Sequence, residues 1–123
     1  MLRRLRLSAR AVRDIRSILE WSELSFGEAA SERYARVLRR AVDQLRWNEE
    51  IDWSTPVEEL PSGVFVYHLQ RARVGASGRV EVKHPRHFLV CRWGDAQDLL
   101  ILAVLHDGSD LAGRLSEPWI DSE

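Results

Sequence analysis

The stretch RHFLVCRWGDAQDLLILAVLH, residues 86–106, decides the fold of this chain. Residues 86–93 combine apolar, aromatic and β-branched side chains and predict a strand. Gly94 and Asp95 follow as a tight turn, and residues 99–105 are apolar at every position. A strand that is apolar on both faces is typical of a central, covered position in a sheet. The stretch therefore predicts an antiparallel strand pair whose second member lies inside the sheet.

The residues upstream of this stretch predict one more strand and two connections. Residues 64–69 (VFVYHL) are β-rich and nearly all apolar. A glycine-rich turn follows at 75–78, residues 80–83 could extend the hairpin, and Pro85 ends it. The acidic segment 48–63 contains two prolines and ends in glycine, which predicts a surface loop.

The first third of the chain predicts a short strand followed by two helices. Residues 2–7 (LRRLRL) alternate leucine with arginine at their end, as in a half-buried strand. Ser8 is a suitable N-cap for a helix over 9–25, whose apolar residues recur at i, i+4 and i+7. Gly27 ends this helix, and the same spacing continues over 28–47. So short a connection predicts an antiparallel helix hairpin.

The predicted element order is therefore β-α-α-β-β-β, an α+β fold with an antiparallel sheet packed on the helix hairpin. The length of 123 residues suits a single domain over 1–123. We expect its core to span about 2–115, with a short helix or turn over 106–115 and a tail over 116–123.

Composition narrows the class of protein. A single cysteine excludes an internal disulfide framework and a multi-cysteine zinc cluster. We expect a cytoplasmic protein, because no apolar run is long enough for a membrane helix or a signal peptide. We expect no cofactor, because the sequence contains no glycine-rich phosphate loop and no HExxH or CxxC motif. The thiol, Cys91, lies in the middle of a predicted strand, where a buried and inert group is expected.

The net charge of -1 conceals alternating blocks along the chain. Residues 1–48 carry a net charge of +5, residues 49–62 carry -5, residues 63–93 carry +5 and residues 94–123 carry -6. Arginine supplies 17 of the 18 basic residues. Arginine favours bidentate pairing with carboxylate or phosphate, so the blocks indicate basic faces that could bind an acidic partner, although genomic base composition also enriches arginine.

The sequence contains few candidates for chemistry. His106 ends the most apolar strand and precedes Asp107; it could act as a general base, although a histidine that caps the following turn is the favoured interpretation. A metal site at His84 and His87 would need ligands that cannot be identified, so no metal is predicted. Six basic residues surround the predicted hairpin and could bind phosphate or a carboxylate-rich partner, or simply be solvated: Arg71, Arg73, Arg79, Lys83, Arg86 and Arg92.

The chain resembles the RelE/ParE superfamily of bacterial toxins, and within it the ParE branch. The likeness rests on the element order and on four segments: LSARAVRDIRSILEW (7–21), FGEAASERY (26–34), RHFLVCRW (86–93) and LLILAVLHDGSDLAGRL (99–115). Three features depart from the common pattern. Residues 48–86 are longer than usual, the chain after residue 115 is extra, and Glu28 replaces a common proline.

The resemblance implies the toxin of a type II toxin-antitoxin system, with growth arrest and plasmid stabilisation as its biology. A ParE-type toxin is implied to inhibit DNA gyrase by protein contact rather than catalysis. Its partner would be a ParD-like antitoxin of the ribbon-helix-helix type, with no membrane and no direct DNA binding. The residues that we expect to contact partners are basic and lie on the second helix and the late hairpin: Arg33, Arg36, Arg40, Arg86 and Arg92.

Two alternatives remain open. A RelE-type toxin is implied to be a ribosome-dependent mRNA endoribonuclease, for which His106 with Arg71, Arg73 and Arg92 would supply the site. That branch often carries a C-terminal tyrosine, which this chain lacks, so the ParE interpretation is favoured. The third interpretation is a non-toxic binding module with the same fold.

Overall fold

The helices and strands follow the predicted order. The computed structural model describes residues 3–47, 63–75, 77–94 and 98–108. The bounds of the elements, in chain order, are β1 Leu5–Leu7, α1 Ala9–Phe26, α2 Glu28–Trp47, β2 Val64–His68, a short 3-10 helix Leu69–Ala72, β3 His87–Trp93 and β4 Leu99–His106. The predicted α+β fold is thereby confirmed.

The four described strands form one sheet in the order β1-β4-β3-β2. The three late strands are antiparallel, as predicted, with Val66 opposite Val90 and His87 opposite His106. β1 pairs parallel with β4, placing Leu5 opposite Leu99, so the sheet as a whole is mixed. β4 therefore lies between two strands, in the central position that its apolar sequence predicts.

Residues next to the helix ends determine where the first helix of the hairpin begins and where it ends. The Ser8 side chain accepts a hydrogen bond from the Ala11 N–H at 2.9 Å and caps α1. Gly27, with φ 97°, ends the helix, and its N–H donates to the Glu23 carbonyl. α2 begins at the next residue, and the Ser31 hydroxyl donates to the Leu19 carbonyl at 2.9 Å, which ties the two helices together.

Residues at the start of α1 also pair backbone groups of β4 that lie past the end of β1. Ser8 donates its N–H to the Ile101 carbonyl at 3.0 Å and its hydroxyl to the Leu102 carbonyl at 2.6 Å. Six residues further on, in α1, the Asp14 carboxylate accepts the Val104 N–H at 3.0 Å. Buried backbone groups are costly when unpaired, so these two side chains stabilise a strand edge that the three-residue β1 is too short to cover.

Both faces of the sheet are buried. On one face, α2 contributes Val37, Ala41 and Leu45, and these pack with Leu89 and Ile101. On the other face, the described members of a second buried cluster all lie on strands: Val64, Phe88, Val90, Leu100, Leu102, Ala103 and Leu105. Every residue of β4 except His106 is buried, which confirms that it is a covered strand.

The structure refines several boundaries. α1 ends one residue later than predicted, and β2 ends at His68, where the chain enters the 3-10 helix. The expected extension of the hairpin is reduced to a single bridge between Val74 and Val80. Three predicted segments lie outside the described residues: the acidic loop over 48–62, the 109–115 part of the helix or turn predicted for 106–115, and the tail over 116–123. No helix in the described part of the chain is long and apolar enough to cross a membrane.

Candidate functional site

Three histidines meet at one edge of the sheet, where one strand begins and two others end. His68 is the last residue of β2, His87 the first of β3 and His106 the last of β4. The antiparallel register brings them together, because His87 lies opposite His106 and His68 lies opposite Phe88. The rings of His87 and His106 meet edge-to-face, with centroids 5.4 Å apart.

Asp107 lies beside two members of this histidine cluster, His68 and His106. Its Oδ2 accepts a hydrogen bond from His68 Nε2 at 3.1 Å, and its Oδ1 lies 3.1 Å from Arg86 Nη2. Its backbone N–H donates to the Arg86 carbonyl at 2.8 Å. The hydrogen bond from His68, followed by the charge of Arg86, holds the pKa of Asp107 below its ordinary value. Asp107 is therefore a carboxylate that is already paired on both oxygens.

Hydrogen bonds to Nδ1 assign the tautomer of each histidine. Nδ1 of His68 accepts the Gln70 N–H at 3.0 Å, and Nδ1 of His106 accepts the Gly108 N–H at 3.0 Å. Nδ1 of His87 lies 2.5 Å from the Tyr34 hydroxyl. An accepting nitrogen carries no proton, so the neutral rings hold their hydrogen on Nε2.

Tyr34 connects α2 to this cluster. Its hydroxyl accepts the Arg86 N–H at 3.2 Å and can therefore donate to His87 Nδ1. Burial, with a further contribution from His106, lowers the pKa of His87 to about 4, so this ring stays neutral at physiological pH. Burial also raises the pKa of Tyr34 to about 12 and keeps its hydroxyl protonated.

The tip of the helix hairpin exposes three large apolar side chains. Trp21 is 58% exposed, Leu24 88% and Phe26 69%, and the rings of Trp21 and Phe26 meet edge-to-face at 5.5 Å. We call these three residues the hairpin tip. Exposed apolar side chains grouped in this way are typical of contact sites for another molecule.

A groove of about 380 Å³ runs from the hairpin tip to the histidine cluster. Its α1 wall carries Trp21 and Phe26, and its inner end reaches Tyr34 and His87. Three cations line it from two different parts of the chain: Arg33, Lys83 and Arg86. The groove therefore combines a mainly apolar lining with three basic side chains.

Comparison with known families decides the identity of the chain. The model of the family described as "ParE toxin of type II toxin-antitoxin system, parDE" matches residues 5–111. The chain belongs to the ParE toxin family. No curated protein gives a significant match. As a ParE-family toxin of a type II system, the protein has a cognate antitoxin as its partner.

In this ParE-family toxin, the basic stripe predicted on α2 is divided. Arg36 and Arg40 both form ion pairs with Glu81, and Arg40 also donates to the Ala72 carbonyl at 2.5 Å. Arg33 belongs to the same stripe but lines the groove, where Arg86 joins it. The structure thus brings Arg33 and Arg86 together in the groove, and it pairs three of the five predicted partner contacts within the chain: Arg36 and Arg40 with Glu81, and Arg86 with Asp107.

The arginines proposed for a nuclease site fall in other places. Arg92 lies opposite Leu100, at the far end of the β3–β4 ladder from His106. Five residues of strand separate it from His87, or about 17 Å. Arg71 lies over the Tyr67 ring, 5.8 Å from its centroid, and Arg73 follows the 3-10 helix. The cation that accompanies His106 near Asp107 is Arg86.

Sequence reasoning did not single out Tyr34, His68 or the placement of His87 beside His106. The available signal was that each of the three histidines stands at a predicted strand end. Within the described ranges, no group of three or more His, Cys, Asp or Glu side chains is arranged to hold a metal ion. Cys91 is fully buried, which raises the pKa of its thiol and makes it unreactive.

Proposed function

We propose that this ParE-family toxin inhibits DNA gyrase by direct protein contact, with no active site of its own. The observation that carries the proposal is the hairpin tip, because a protein that acts by binding needs an exposed apolar surface to bind with. Membership of the ParE family supports gyrase as the target class. The toxin would act in the cytoplasm, where gyrase is found.

We further propose a ParD-like antitoxin of the ribbon-helix-helix type. Its contacts would include Arg33 and Arg86, which line the groove. Arg36 and Arg40 are less available, because both form ion pairs with the largely buried Glu81, whereas Arg86 pairs with Asp107 but keeps 63% of its side chain exposed. Two paired cations also favour a protein partner over DNA, which is bound chiefly through uncompensated positive charge. Arg92 is a separate candidate at the opposite end of the ladder.

The test of gyrase inhibition uses the purified toxin with purified gyrase. We expect the toxin to reduce supercoiling or to trap cleaved DNA, and expression without antitoxin to arrest growth with DNA-damage signalling. A Trp21→Ala, Leu24→Ser variant should lose the effect on gyrase, whereas Val12→Ala, which alters an exposed apolar residue elsewhere on α1, should retain it. Unchanged gyrase activity at saturating wild-type toxin would refute the proposal.

A ribosome-dependent mRNA endoribonuclease is the second candidate, and the histidine cluster with Arg86 is the observation that favours it. General acid–base cleavage by two histidines requires one of them to be protonated. Burial, with a further contribution from His106, lowers the pKa of His87 to about 4, so His87 is not the protonated member of such a pair at physiological pH, which weakens this candidate. Message cleavage that His106→Ala abolishes would establish it, and intact message during growth arrest would exclude it. Unimpaired growth on strong expression of soluble protein would instead indicate a non-toxic binding module.

A further inference from the structure

We propose that the hairpin tip binds a basic surface of the toxin's target protein, through carboxylates that stand beside its apolar side chains. The inference rests on the proposed function, which assigns target binding to the hairpin tip. It deepens that function by naming the chemistry of the bound surface, which carries lysine or arginine side chains next to apolar groups.

The apolar side chains of the hairpin tip lie in a continuously exposed part of the hairpin. Residues 23–29 are all exposed, and Leu24 is the most exposed of the three members of the tip, at 88%. Apolar side chains grouped on such a surface are typical of a site that a partner covers. The chemistry of that partner follows from the polar groups around the tip.

The hairpin tip is surrounded by negative charge. Residues 17–32 contain four acids and no lysine or arginine, a local charge of -4 that the net charge of +5 over residues 1–48 conceals. The four acids are all exposed, two on each helix: Glu20, Glu23, Glu28 and Glu32. On α1, Glu20 precedes Glu23 by three residues and Leu24 by four, so their side chains are neighbours on the helix surface. The tip therefore presents apolar and acidic groups side by side.

The four glutamates are not neutralised by the described part of the chain. Among the described residues, no arginine or lysine forms an ion pair with any of them. Arg36 stands four residues after Glu32, at a spacing that allows such a pair on a helix, but it pairs with Glu81 instead. Exposed carboxylates without a partner cation are available to the cations of another protein.

Helix stability explains only part of this charge. Glu28 begins α2, where the helix dipole favours an acid. Glu23 lies in the last turn of α1, where the dipole favours a base, and that turn carries no basic residue. The Glu23 carboxylate thus opposes the stability of its own helix. Local choices that disfavour stability are expected at sites that serve binding.

Charge also discriminates among the possible partners of the tip. Four carboxylates repel a nucleic acid backbone and an anionic membrane surface. A symmetric contact between two copies of this chain would bring like charges together, which is unfavourable. A basic protein surface is attracted instead, and its apolar groups can cover Trp21, Leu24 and Phe26.

The tip and the adjoining groove differ in charge. The described lining of the groove includes Trp21 and Phe26 together with three cations, but neither Leu24 nor any of the four glutamates. A partner that contacts the glutamates therefore uses a surface outside the groove. Glu20 and Glu23 are the positions that test this surface without altering the groove lining.

The test compares charge variants in growth arrest and in affinity for purified gyrase. Glu20→Lys with Glu23→Lys should weaken the affinity at least about tenfold and abolish growth arrest, and Glu20→Gln with Glu23→Gln should weaken it at least about threefold. Asp43→Lys is the matched control, since it changes the net charge by as much as the glutamine variant at an exposed position on the later half of α2. It should leave both measurements unchanged.

Two further measurements separate binding from folding and from the antitoxin. Bases near the end of α1 suit the helix dipole, so urea denaturation should show no loss of stability in the lysine variant. A residue with a merely structural role would instead lose stability and binding together. Affinity for the purified antitoxin should change less than about threefold.

Three results would overturn the inference: wild-type growth arrest in the lysine variant, a loss of antitoxin affinity with growth arrest retained, or a toxin dimer that Leu24→Ser dissociates without affecting growth arrest. The second would assign the tip to the antitoxin and the third to a second copy. If the wild-type toxin arrests growth without binding gyrase, the gyrase proposal fails on its own. Growth arrest then decides the inference, which stands if the lysine variant is harmless and Asp43→Lys is toxic. Unimpaired growth with the wild-type toxin would overturn both proposals.

Discussion

The Tyr34 hydroxyl lies 2.5 Å from His87 Nδ1 and joins helix α2 to the first residue of β3. The same oxygen accepts the Arg86 N–H at 3.2 Å. A single side chain therefore pairs two polar groups that α2 partly shields from water. It also closes the inner end of the groove, so the geometry of the histidine cluster and that of the groove are coupled.

Tyr34→Phe should destabilise the protein by about 1–3 kcal/mol, because it leaves the Arg86 N–H and His87 Nδ1 without a partner. The free energy of unfolding, measured by urea denaturation, tests this. Nitrogen chemical shifts of the His87 ring should also change, since its tautomer is no longer fixed by the tyrosine. A free energy of unfolding that differs from the wild-type value by less than about 0.5 kcal/mol, the spread expected of surface substitutions, would contradict the prediction.

Acid should destabilise the fold through His87. Its folded pKa of about 4 lies below the ordinary value of 6.5, so the folded state favours the neutral ring. The resulting stability is present above pH 6.5 and is lost as the pH falls towards 4. The groups that face the ring are Tyr34 from α2, His106 and Asp107 at the end of β4, His68 from β2 and the adjacent Arg86.

Between pH 6.5 and 4 the free energy of unfolding should fall by about 2 kcal/mol. This is less than a fully buried ring would give, because the His87 ring is partly exposed to water. Asp107 contributes little in this window, since its folded pKa is lowered and its effect falls at more acid pH. Urea titrations at several pH values measure the slope. His87→Gln should flatten it, and the exposed His84→Gln should leave it unchanged; equal slopes in all three proteins would refute the assignment.

Asp14→Ala should cost about 1.5–3 kcal/mol of stability, because a charge-assisted acceptor for the Val104 N–H is removed from a part-buried position. Asp14→Asn is the matched control, since it keeps a carbonyl oxygen and should cost less. Arg10→Ala removes only the surface pair with Asp14 and should cost about 0.5 kcal/mol or less. Equal losses for Asp14→Ala and Arg10→Ala would mean that the bond to β4 contributes nothing.

The Cys91 thiol should not react with a thiol reagent while the protein is folded, because it is fully buried and its pKa is raised by burial. In about 6 M urea, which unfolds most small domains, the thiol should react at once. Cys91→Ser should destabilise the fold by about 1–3 kcal/mol more than Cys91→Ala, since the hydroxyl is buried among apolar side chains. Rapid labelling of the native protein would contradict this interpretation.

Much of the fold could be predicted from the sequence, because its signals are local. Ser8 and Gly27 fix the ends of α1, and the bounds predicted for α2, 28–47, are those observed. The apolar run of β4 predicted its central position. The parallel pairing of β1 was not predicted, because three residues carry no signal of direction and their partner strand begins at Leu99.

The candidate site was less predictable for a related reason. The histidine cluster depends on a register that sets His87 opposite His106, and single residues do not specify register. The division of the arginine stripe depends on Glu81, which lies far along the chain from Arg36 and Arg40. Charge blocks in a sequence show where basic residues are numerous but not which of them the fold will neutralise.

The pairing of β1 with β4 also bears on how the protein is made. Leu5 and Leu99 are neighbours in the sheet, and Ser8 and Leu102 are bonded across a separation of 94 residues. A ribosome can release the helix hairpin early, but the sheet lacks its central strand until residues 99–106 have been synthesised. Contacts of such long sequence separation slow folding. We therefore expect this toxin to remain inactive as a nascent chain and to mature only after most of it has left the ribosome.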